Sequence, residues 1–256
     1  MKVFMPNHKW VGGLAVLCVF LGWQISAGLI QLPLILPTPK QAFAQVLSLL
    51  VTKDFWHHLG ATLGRGMIGF GLSLSVGMII GILAGQNTTV NAFFRPIIIL
   101  MRSTPVMSVI ILALIWFKRE TVPVFATFLM VFPIMVQNII EGIRSVDRDL
   151  LEMVEVFRVT GWLRFTRLYV PSLLPFLAAG ISVGLGITWK VLIAAEVLSY
   201  PRWGIGTQMD TARVYLQTDK LFAWTLVVVA MGLLFDYILD YLLKKPFKAR
   251  KEAVHD

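Results

Sequence analysis

Long apolar stretches separated by short charged segments dominate the chain. Stretches without a charged residue run over 10–39, 66–94, 103–117, 121–140, 168–189 and 221–235. A helix that crosses the hydrocarbon core of a bilayer needs about 20 apolar residues, and flanking Lys and Arg side chains can reach the interfaces. The pattern therefore predicts an all-α membrane protein with six transmembrane helices, at residues 10–35, 63–85, 97–118, 121–141, 172–195 and 221–243.

Composition agrees with this prediction. Hydrophobic residues fill 57% of the 256 positions and charged residues only 14%, whereas soluble domains carry about 25% charged residues. An ordinary soluble enzyme is therefore excluded. The single cysteine, Cys18, cannot form an internal disulfide, and no Cys/His cluster has metal-ligand spacing. We expect one transmembrane domain over 1–256, with a six-helix core at 10–243, a basic tail at 244–256 and no metal site.

The net charge of +9 reflects membrane topology. Six spans place both termini on one side, and cytoplasmic segments are rich in Lys and Arg. With cytoplasmic termini, 14 of the 23 basic residues are cytoplasmic: Lys2, Lys9, Arg95, Arg102, Arg144, Arg148, Arg158, Arg164, Arg167, Lys244, Lys245, Lys248, Arg250 and Lys251. We therefore expect cytoplasmic N- and C-termini, lipid as the surrounding medium, and no nucleic-acid partner.

The N-terminus superficially resembles a signal peptide. Lys2 and Lys9 precede an apolar run, and Ala42-Phe43-Ala44 lies downstream of it. The apolar run is about twice as long as the hydrophobic region of a signal peptide. We therefore expect an uncleaved first helix.

Glycines recur every fourth residue in two predicted helices. Gly77, Gly81 and Gly85 lie in the second span, and Gly180 and Gly184 lie in the fifth. This spacing lets a neighbouring backbone approach closely, so we assign these glycines to helix packing; a pathway lining or a dimer seam is the alternative. The match of residues 180–184 to G-x-S-x-G is coincidental, because all four histidines lie outside the spans.

The segment 142–171, between the fourth and fifth spans, is the one substantial cytoplasmic loop. Leu150, Leu151, Val154 and Phe157 recur at helical spacing, and charged residues occupy the other face. This pattern predicts an amphipathic helix. Such a helix can lie on lipid, dock into a protein partner or belong to a solvated loop.

Residues 149–196 resemble the EAA loop of ABC-importer permeases, and more narrowly the nitrate/sulfonate/taurine-type family. The resemblance rests on residues 151–154 (LEMV), Arg158, residues 171–175 (PSLLP) and Gly180. Further segments in the same order are 36–39 (LPTP), 55–59 (FWHHL), 102–105 (RSTP), 116–117 (WF), 194–196 (AAE), 204–206 (GIG) and 218–219 (TD). Their order and spacing together are specific for the family.

The loop departs from the family pattern at three positions. Met153 and Val154 stand where the family has two alanines, and Arg158 stands where it has a glycine. A second register would use Glu155 and Gly161 instead, but it puts the downstream prolines out of step. We prefer the register based on Glu152 and expect Gly161 to supply the bend.

The resemblance implies a permease subunit of six helices that pairs with a second copy around a central pathway. Residues 149–167 would form a coupling helix that docks into a cleft on a separate ATPase, present in two copies. Glu152 would cap or orient this helix, and the apolar side chains would fill the cleft. The residues assigned to coupling are Leu150, Leu151, Glu152, Val154, Glu155, Phe157, Arg158 and Gly161.

The resemblance also defines the chemistry and the location. The chain has no phosphate-binding G-x-x-x-x-G-K-[ST] loop, so ATP and Mg²⁺ would bind to the partner ATPase and this chain would carry no cofactor. An extracytoplasmic binding protein would deliver a small anionic solute, nitrate-, sulfonate- or taurine-like or a vitamin precursor. We expect a non-enzymatic pore subunit in a bacterial inner (plasma) membrane.

Polar groups inside the membrane are the candidates for a substrate pathway. Lys190, Trp189 and Glu196 lie in the fifth span, and Arg65 opens the second. They either form a positive outer vestibule or serve as interfacial side chains, with Lys190 and Glu196 as an ion pair. Two aspartates of the sixth span, Asp236 and Asp240, are expected to pair with Lys244 and Lys245, and His57 and His58 to anchor the interface.

Two other functions have to be weighed. An ion-coupled secondary transporter would favour an inverted repeat with broken midplane helices, which the sequence does not display. A membrane-embedded enzyme would need histidines or clustered carboxylates within the spans, and the sequence lacks them.

Overall fold

The computed structural model describes the backbone of residues 8–159 and 161–252 and the side chains of 11–159, 161–239 and 241. The regular structure of these residues is helical throughout. The helices are α1 (His8–Ile30), α2 (Pro39–Leu50), α3 (Lys53–Gln86), α4 (Thr88–Ser103), α5 (Val106–Trp116), α6 (Val122–Arg144), α7 (Arg148–Val156), α8 (Gly161–Arg164), α9 (Val170–Ser199), α10 (Ile205–Val214) and α11 (Thr218–Glu252), with a π-helical turn, Phe165–Tyr169, between α8 and α9.

Five helical segments are long and apolar enough to cross a membrane. They are Val11–Ile30, Lys53–Gln86, Val122–Arg144, Gly161–Ser199 and Thr218–Leu239. These segments confirm the first, second, fourth, fifth and sixth predicted spans. Some predictions lie outside the described residues: Lys2, and the side chains of Lys9, Asp240, Lys244, Lys245, Lys248, Arg250 and Lys251.

The third predicted span, 97–118, is wrong as a single helix. The chain forms α4 and α5 instead, and their axes meet at 100°. Thr104 is extended at φ −75° and ψ 126°, directly before Pro105. A residue that precedes proline is disfavoured in the helical region, and proline has no N–H to donate to the preceding turn. Hydropathy alone could not reveal this break.

Helices α3 and α6 lie parallel at close distance. A Cβ added to Gly77, Gly81 or Gly85 would lie 2.8, 2.7 or 2.7 Å from the Cβ of Met135, Ile139 or Ile143, respectively. The constant sequence offset between these partners shows that the helices run in the same direction. Ser73 donates to the carbonyl of Phe128 (3.2 Å) and extends the same seam.

Helix α9 runs antiparallel to α6 and uses its own glycines at the contact. A Cβ on Gly180 would lie 3.1 Å from the Cβ of Asn138, and one on Gly184 would lie 3.1 Å from Val131. The structure thus places Gly180 and Gly184 of the fifth span in contacts within the subunit.

The parallel pair determines the number of membrane crossings. Because α3 and α6 are both spans and run the same way, the chain between them must return to the side on which α3 begins. Only α4 and α5 lie there, so the bent pair makes the third of six crossings. We call the side on which α3 ends and α7 lies the α7 face, and the side on which α3 begins and α10 lies the α10 face.

Three helical segments of the α10 face were not predicted. Helix α2 is capped by Thr38, the residue before its first residue, and the side chain of Thr38 forms a capping box with Gln41. Helix α3 begins ten residues before the predicted span, because Thr52 accepts from the N–H of Phe55 and caps it. Helix α10 follows α9 after a short turn, and its sequence carries neither a strong apolar period nor a polar N-cap.

Candidate functional site

Helix α7 is the amphipathic helix predicted between the fourth and fifth spans. Its N-cap is Asp147, whose carboxylate accepts a 3.0 Å hydrogen bond from the N–H of Asp149. Glu152 lies in the middle of the helix, so of its two expected roles capping is excluded, and orienting the helix stays a prediction. The capping residue precedes the segment that carries the family resemblance.

The end of α7 explains the departure at Arg158. The N–H of Val159 bonds to the carbonyl of Val154 and that of Arg158 to Glu155, which is the Schellman pattern. Arg158 occupies the left-handed position of this motif, at φ +53°. Glycine is the usual residue there because a side chain is strained in this conformation. The loop glycine of the preferred register thus corresponds to a real backbone requirement.

The bend expected at Gly161 is also present. Gly161 has φ +61° and opens α8. A Cβ at this position would touch nothing within 4 Å, so backbone conformation and not space favours glycine here. Two left-handed residues three positions apart turn the chain from α7 back towards α9.

One side of α7 is anchored to its own chain. Val154 is 8% exposed and packs with Val146 and Leu168, and the partly buried Leu151 lies against the same cluster. Leu168 belongs to the turn that leads into α9, so this cluster joins α7 directly to the base of a membrane span. Val154 and Leu151 therefore face inward and are not offered to a partner, contrary to our expectation.

Next to this anchored part, α7 exposes further apolar side chains. Phe157 is 73% exposed, and the structure also exposes the apolar side chains of Leu150, Met153 and Val156. The charged Glu152 and Glu155 are exposed as well. An apolar surface outside the membrane-spanning segments is typical of an interaction site.

A buried polar cluster joins three helices at the α10 face. Glu196 of α9 is fully buried and accepts hydrogen bonds from Arg65 (2.7 Å) and from Thr62 (2.9 and 3.0 Å) of α3. It also accepts from the N–H of Gly206 (3.0 Å), in the first turn of α10. Glu196 thus acts as an N-cap supplied by another helix, where a negative charge is favourable.

The turn before α10 fits this cluster only because it contains glycine. A Cβ on Gly204 would lie 2.7 Å from Glu196 Oε2, and one on Gly206 would lie 2.6 Å from Glu196 Cβ. Thr62 accepts from the N–H of Ile205 (2.9 Å) while it donates to Glu196. The sequence analysis did not single out Thr62, and it used residues 204–206 (GIG) only as part of the family resemblance.

The cluster revises three predictions. Arg65, not Lys190, pairs with Glu196, and the Arg65 side chain is only 13% exposed. Its charge is therefore neutralised, so Arg65 is not a free cation of an outer vestibule. His58 is buried, with Nδ1 at 3.0 Å from the carbonyl oxygen of Gly204 and Nε2 at 3.0 Å from Gln208, and is not an interfacial anchor. His57 remains exposed and lies against Trp203.

Lys190 and Trp189 line a cavity of about 540 Å³ between α9 and α11. The indole of Trp189 stacks on Phe235 with ring centroids 4.5 Å apart. Asp236, the neighbour of Phe235, lines the same cavity. The predicted pairing of Asp236 and Asp240 with Lys244 and Lys245 involves side chains outside the described part. The structure therefore separates Lys190 from Glu196 and places it with Asp236.

No group of three or more His, Cys, Asp or Glu side chains that could hold a metal occurs among the described residues. The described helices instead define a multi-pass membrane protein with charged groups inside its spans and one amphipathic helix displayed outside them. This architecture is that of a membrane transport subunit. The chain belongs to the family of binding-protein-dependent transport system inner membrane components, whose pattern matches residues 77–248.

Relatives of the chain carry the same assignment. It is 30% identical over 248 residues to a putative aliphatic sulfonates transport permease protein of Bacillus subtilis strain 168, covering 95% of this chain and 89% of that protein. It is 28% identical to the taurine transport system permease protein of Escherichia coli K12 (92% and 87% covered). It is also 28% identical to a bicarbonate transport system permease protein of Synechocystis (90% and 85%).

The fold agrees with these relatives. The methionine ABC transporter MetNI, in an inward-facing conformation, matches with a TM-score of 0.58 at 17% identity, over 77% of this chain and 95% of that one. The protein is a permease subunit of an ABC importer, a non-enzymatic pore component that works with a separate ATPase and a binding protein. Family membership rules out the secondary transporter and the membrane-embedded enzyme.

Proposed function

We propose that two copies of this chain form a translocation pathway for a small anionic solute. An extracytoplasmic binding protein delivers the solute at the α10 face, and two copies of an ATPase dock at the α7 face. The termini and α7 are then cytoplasmic, which agrees with the distribution of basic residues. The relatives named as permeases for sulfonates, taurine and bicarbonate support a solute that carries an anionic group.

The exposed apolar side of α7 is the observation that carries the coupling part of the proposal. Leu150, Met153, Val156 and Phe157 form the surface that would enter a cleft on the ATPase. Because Val154 packs α7 against Leu168, at the base of α9, a movement of α7 would be transmitted to that span. Coupling thus requires both the exposed apolar side chains of α7 and the contact of Val154 with Leu168.

The segment 142–171 would therefore be the coupling loop. Asp147 holds its beginning through a capping hydrogen bond, and the Schellman motif around Arg158 holds its end. Because both ends of α7 are fixed, the helix can transmit a movement of the ATPase to α9 without unwinding.

Co-purification tests the proposal. The affinity-tagged full chain is extracted from bacterial membranes, and the amount of ATPase that co-purifies with it is measured. ATP hydrolysis by the complex is then measured in lipid nanodiscs, with and without the binding protein. Leu150→Asp and Phe157→Asp should lower ATPase recovery by about tenfold or more, since central apolar contacts carry most of the energy of an interface. Val51→Asp, at an apolar position of the α10 face that is 87% exposed, is the control.

Two results would contradict the coupling proposal. One is unchanged ATPase recovery with both α7 variants, and the other is an equal loss with Val51→Asp. The pairing of two identical copies is tested separately by the mass of the nanodisc complex, in which a single copy or a paralogous partner would be visible.

A further inference from the structure

Another cavity lies where the end of α3 meets the segment between α7 and α9. Its volume is about 420 Å³, and it is lined by Gln86, Gly161, Arg164, Phe165 and Tyr169. We call it the Arg164 cavity. Its volume falls within the range of roughly 300–1,000 Å³ found for small-molecule sites. Its described lining residues include one cation and no carboxylate, so the charge of the cavity favours an anionic occupant.

A π-helical turn places two polar side chains on the same side of the Arg164 cavity. Arg164 directly precedes the turn Phe165–Tyr169, and its guanidinium carbon lies 5.9 Å from the centre of the Tyr169 ring. The N–H of Val170 bonds to the carbonyl of Phe165, five residues earlier, which makes the turn wider than an α-helical one. In an α-helix, residues five positions apart point in directions about 140° apart. The wide turn therefore brings Arg164 and Tyr169 together.

Arg164 lacks a hydrogen-bonding partner. Its Nε is buried from solvent without an acceptor, and no other hydrogen bond or ion pair joins Arg164 to a residue of the described part. Arg144, at the same end of α3, instead donates to the carbonyl of Ala84 (3.4 Å). An exposed cation needs no partner because water solvates it, whereas a buried donor without an acceptor is rare and costs free energy. A rotation of the guanidinium into the cavity would offer Nε and a terminal nitrogen together to an acceptor.

The Arg164 cavity lies at the membrane surface of the α7 face. Gln86 is the last residue of the span α3, and Tyr169 precedes α9, whose 30 residues exceed the roughly 20 that cross the hydrocarbon core. Trp162 is 77% exposed and lies against Phe165 of the cavity wall, with ring centroids 6.0 Å apart. Tryptophan is enriched at the level of the lipid headgroups. The exposed Trp162 therefore favours a lipid as the source of the anion.

We propose that the Arg164 cavity binds the phosphate group of an anionic phospholipid. Arg164 donates charge-assisted hydrogen bonds to the phosphate, for which the forked guanidinium is well suited. Gln86 and Tyr169 donate from the cavity wall, and Trp162 contacts the glycerol and the acyl chains. Basic pockets beside membrane spans are a recognised kind of site for lipid headgroups.

A bound lipid would join α3 to the connection between α7 and α9. Gln86 belongs to α3, whereas the other lining residues belong to that connection. The lipid would thereby stabilise the segment through which a movement of α7 reaches α9. Two other occupants are outcomes of the test: free phosphate, which offers the same chemical group, and water, which has no preference for charge.

Native mass spectrometry of the full chain, released from detergent micelles with added lipid, tests the proposal. Phosphatidylglycerol, with one net negative charge, is compared with phosphatidylcholine of the same acyl chains, in which the choline neutralises the phosphate. Phosphatidylglycerol should bind about tenfold more tightly, because only its phosphate supplies a net counter-charge to Arg164. Equal affinities of the unmodified protein for the two lipids would overturn the proposal.

Substitutions assign the binding to the cavity. Arg164→Gln should weaken phosphatidylglycerol binding about tenfold. Arg167→Gln is the matched control, because it removes an exposed charge from the same turn that does not line the cavity. Its affinity should change by less than about twofold. Equal losses in the two variants would indicate general attraction to a basic surface and would overturn the site.

Arg164→Lys keeps the test decisive if Arg164→Gln does not fold. Lysine retains the charge and loses the forked donor, so the affinity should fall by about threefold. The thermal unfolding midpoint of each variant, measured without added lipid, shows whether it is folded. Unchanged phosphatidylglycerol affinity in the folded Arg164 variants would overturn the proposal.

Competition identifies the source of the phosphate group. Inorganic phosphate at millimolar concentration should not displace phosphatidylglycerol, because it lacks the part that contacts Trp162. Displacement by inorganic phosphate alone would overturn the lipid assignment in favour of a free anion. This result is independent of the proposed coupling, which is measured by ATPase recovery with the Leu150 and Phe157 variants, since neither residue lines the Arg164 cavity.

Discussion

Arg65 of α3 donates a 2.7 Å hydrogen bond to Glu196 of α9 across 131 positions of sequence. The carboxylate is fully buried, and the same group caps the first turn of α10 through Gly206. One ion pair thus holds the α10 face of two membrane spans together and fixes the segment that follows the second span. Its role is to join helices, although the sequence offered Arg65 as a candidate contact for the solute.

Glu196→Gln should strongly destabilise the subunit. Arg65 would lose its counter-charge in a buried site, which costs about 3–5 kcal/mol when one partner of a buried pair is removed. The double variant Arg65→Gln/Glu196→Gln should lose less than the sum of the two single variants, as expected for directly coupled groups. Thermal unfolding of the purified protein in detergent measures both effects.

The pair Asp210–Arg213, in which the Arg213 side chain is 68% exposed and that of Asp210 16%, provides the control for this prediction. Asp210→Asn should change the free energy of unfolding by no more than about 0.5 kcal/mol, as is usual for solvent-exposed ion pairs. A Glu196→Gln variant as stable as Asp210→Asn would show that the buried pair does not hold the helices together.

Gly81→Ala should loosen the contact between α3 and α6. The new Cβ would lie 2.7 Å from Ile139 Cβ, so the helices must move apart at a cost of about 1–3 kcal/mol. Gly71→Ala, on the same helix, is the matched control because its Cβ would meet nothing within 4 Å. Gly71→Ala should be neutral or stabilising, since alanine favours the helix.

The thermal unfolding midpoints of the two alanine variants distinguish a specific contact between α3 and α6 from a general effect of replacing glycine in a helix. Equal midpoints would mean that the close approach of α3 and α6 at Gly81 does not contribute to the stability of the subunit.

Arg158→Gly should stabilise the coupling loop by about 0.5–1 kcal/mol, because glycine adopts the left-handed conformation without strain. Arg158→Val should have the opposite effect, since a β-branched side chain is least tolerated at positive φ. Leu216, at φ +54° after α10, is a second left-handed position. Leu216→Gly should therefore stabilise its own segment in the same way.

Hydrogen exchange of the α7 amides measures the local effect at Arg158. Faster exchange in Arg158→Gly than in the parent protein would contradict the assignment of this residue to the Schellman position.

Val154→Ala should detach α7 from the base of α9. The removed methyl groups lie in the cluster with Val146 and Leu168, so local opening should become easier by roughly 1–2 kcal/mol. Amide exchange in α7 should then be about tenfold faster. Val156→Ala, at a position 78% exposed, should leave exchange unchanged; a similar acceleration in both variants would show that α7 is not anchored by Val154.

Elements that depend on local chemistry could be predicted from the sequence. Hydropathy predicted five of the spans, because a bilayer demands continuous apolar stretches whatever the neighbouring helices are. The amphipathic helix before Phe157 was predicted from its period. The positive φ of Arg158 fits the register based on Glu152, since a family glycine marks a backbone conformation that belongs to the local chain.

Elements that depend on partners distant in sequence could not be predicted. The side of α7 that Val154 occupies depends on Leu168, and the partner of Glu196 depends on the packing of α3 against α9. Both Lys190 and Arg65 lay within reach of Glu196 as far as the sequence could show. Only the arrangement of the helices selects Arg65, because it brings Thr62 and Arg65 together one turn apart on the face that meets Glu196.

The sequence by itself thus determined that this protein is a membrane-embedded importer subunit with a helix displayed outside the spans. These properties follow from composition, period and motif order, which act over neighbouring residues. The tertiary structure alone decided which charges neutralise each other, since it pairs Glu196 with Arg65 and not with Lys190. Burial and the distance between helices control the energy of a charge in a low-dielectric medium. Neither quantity can be inferred from the sequence alone.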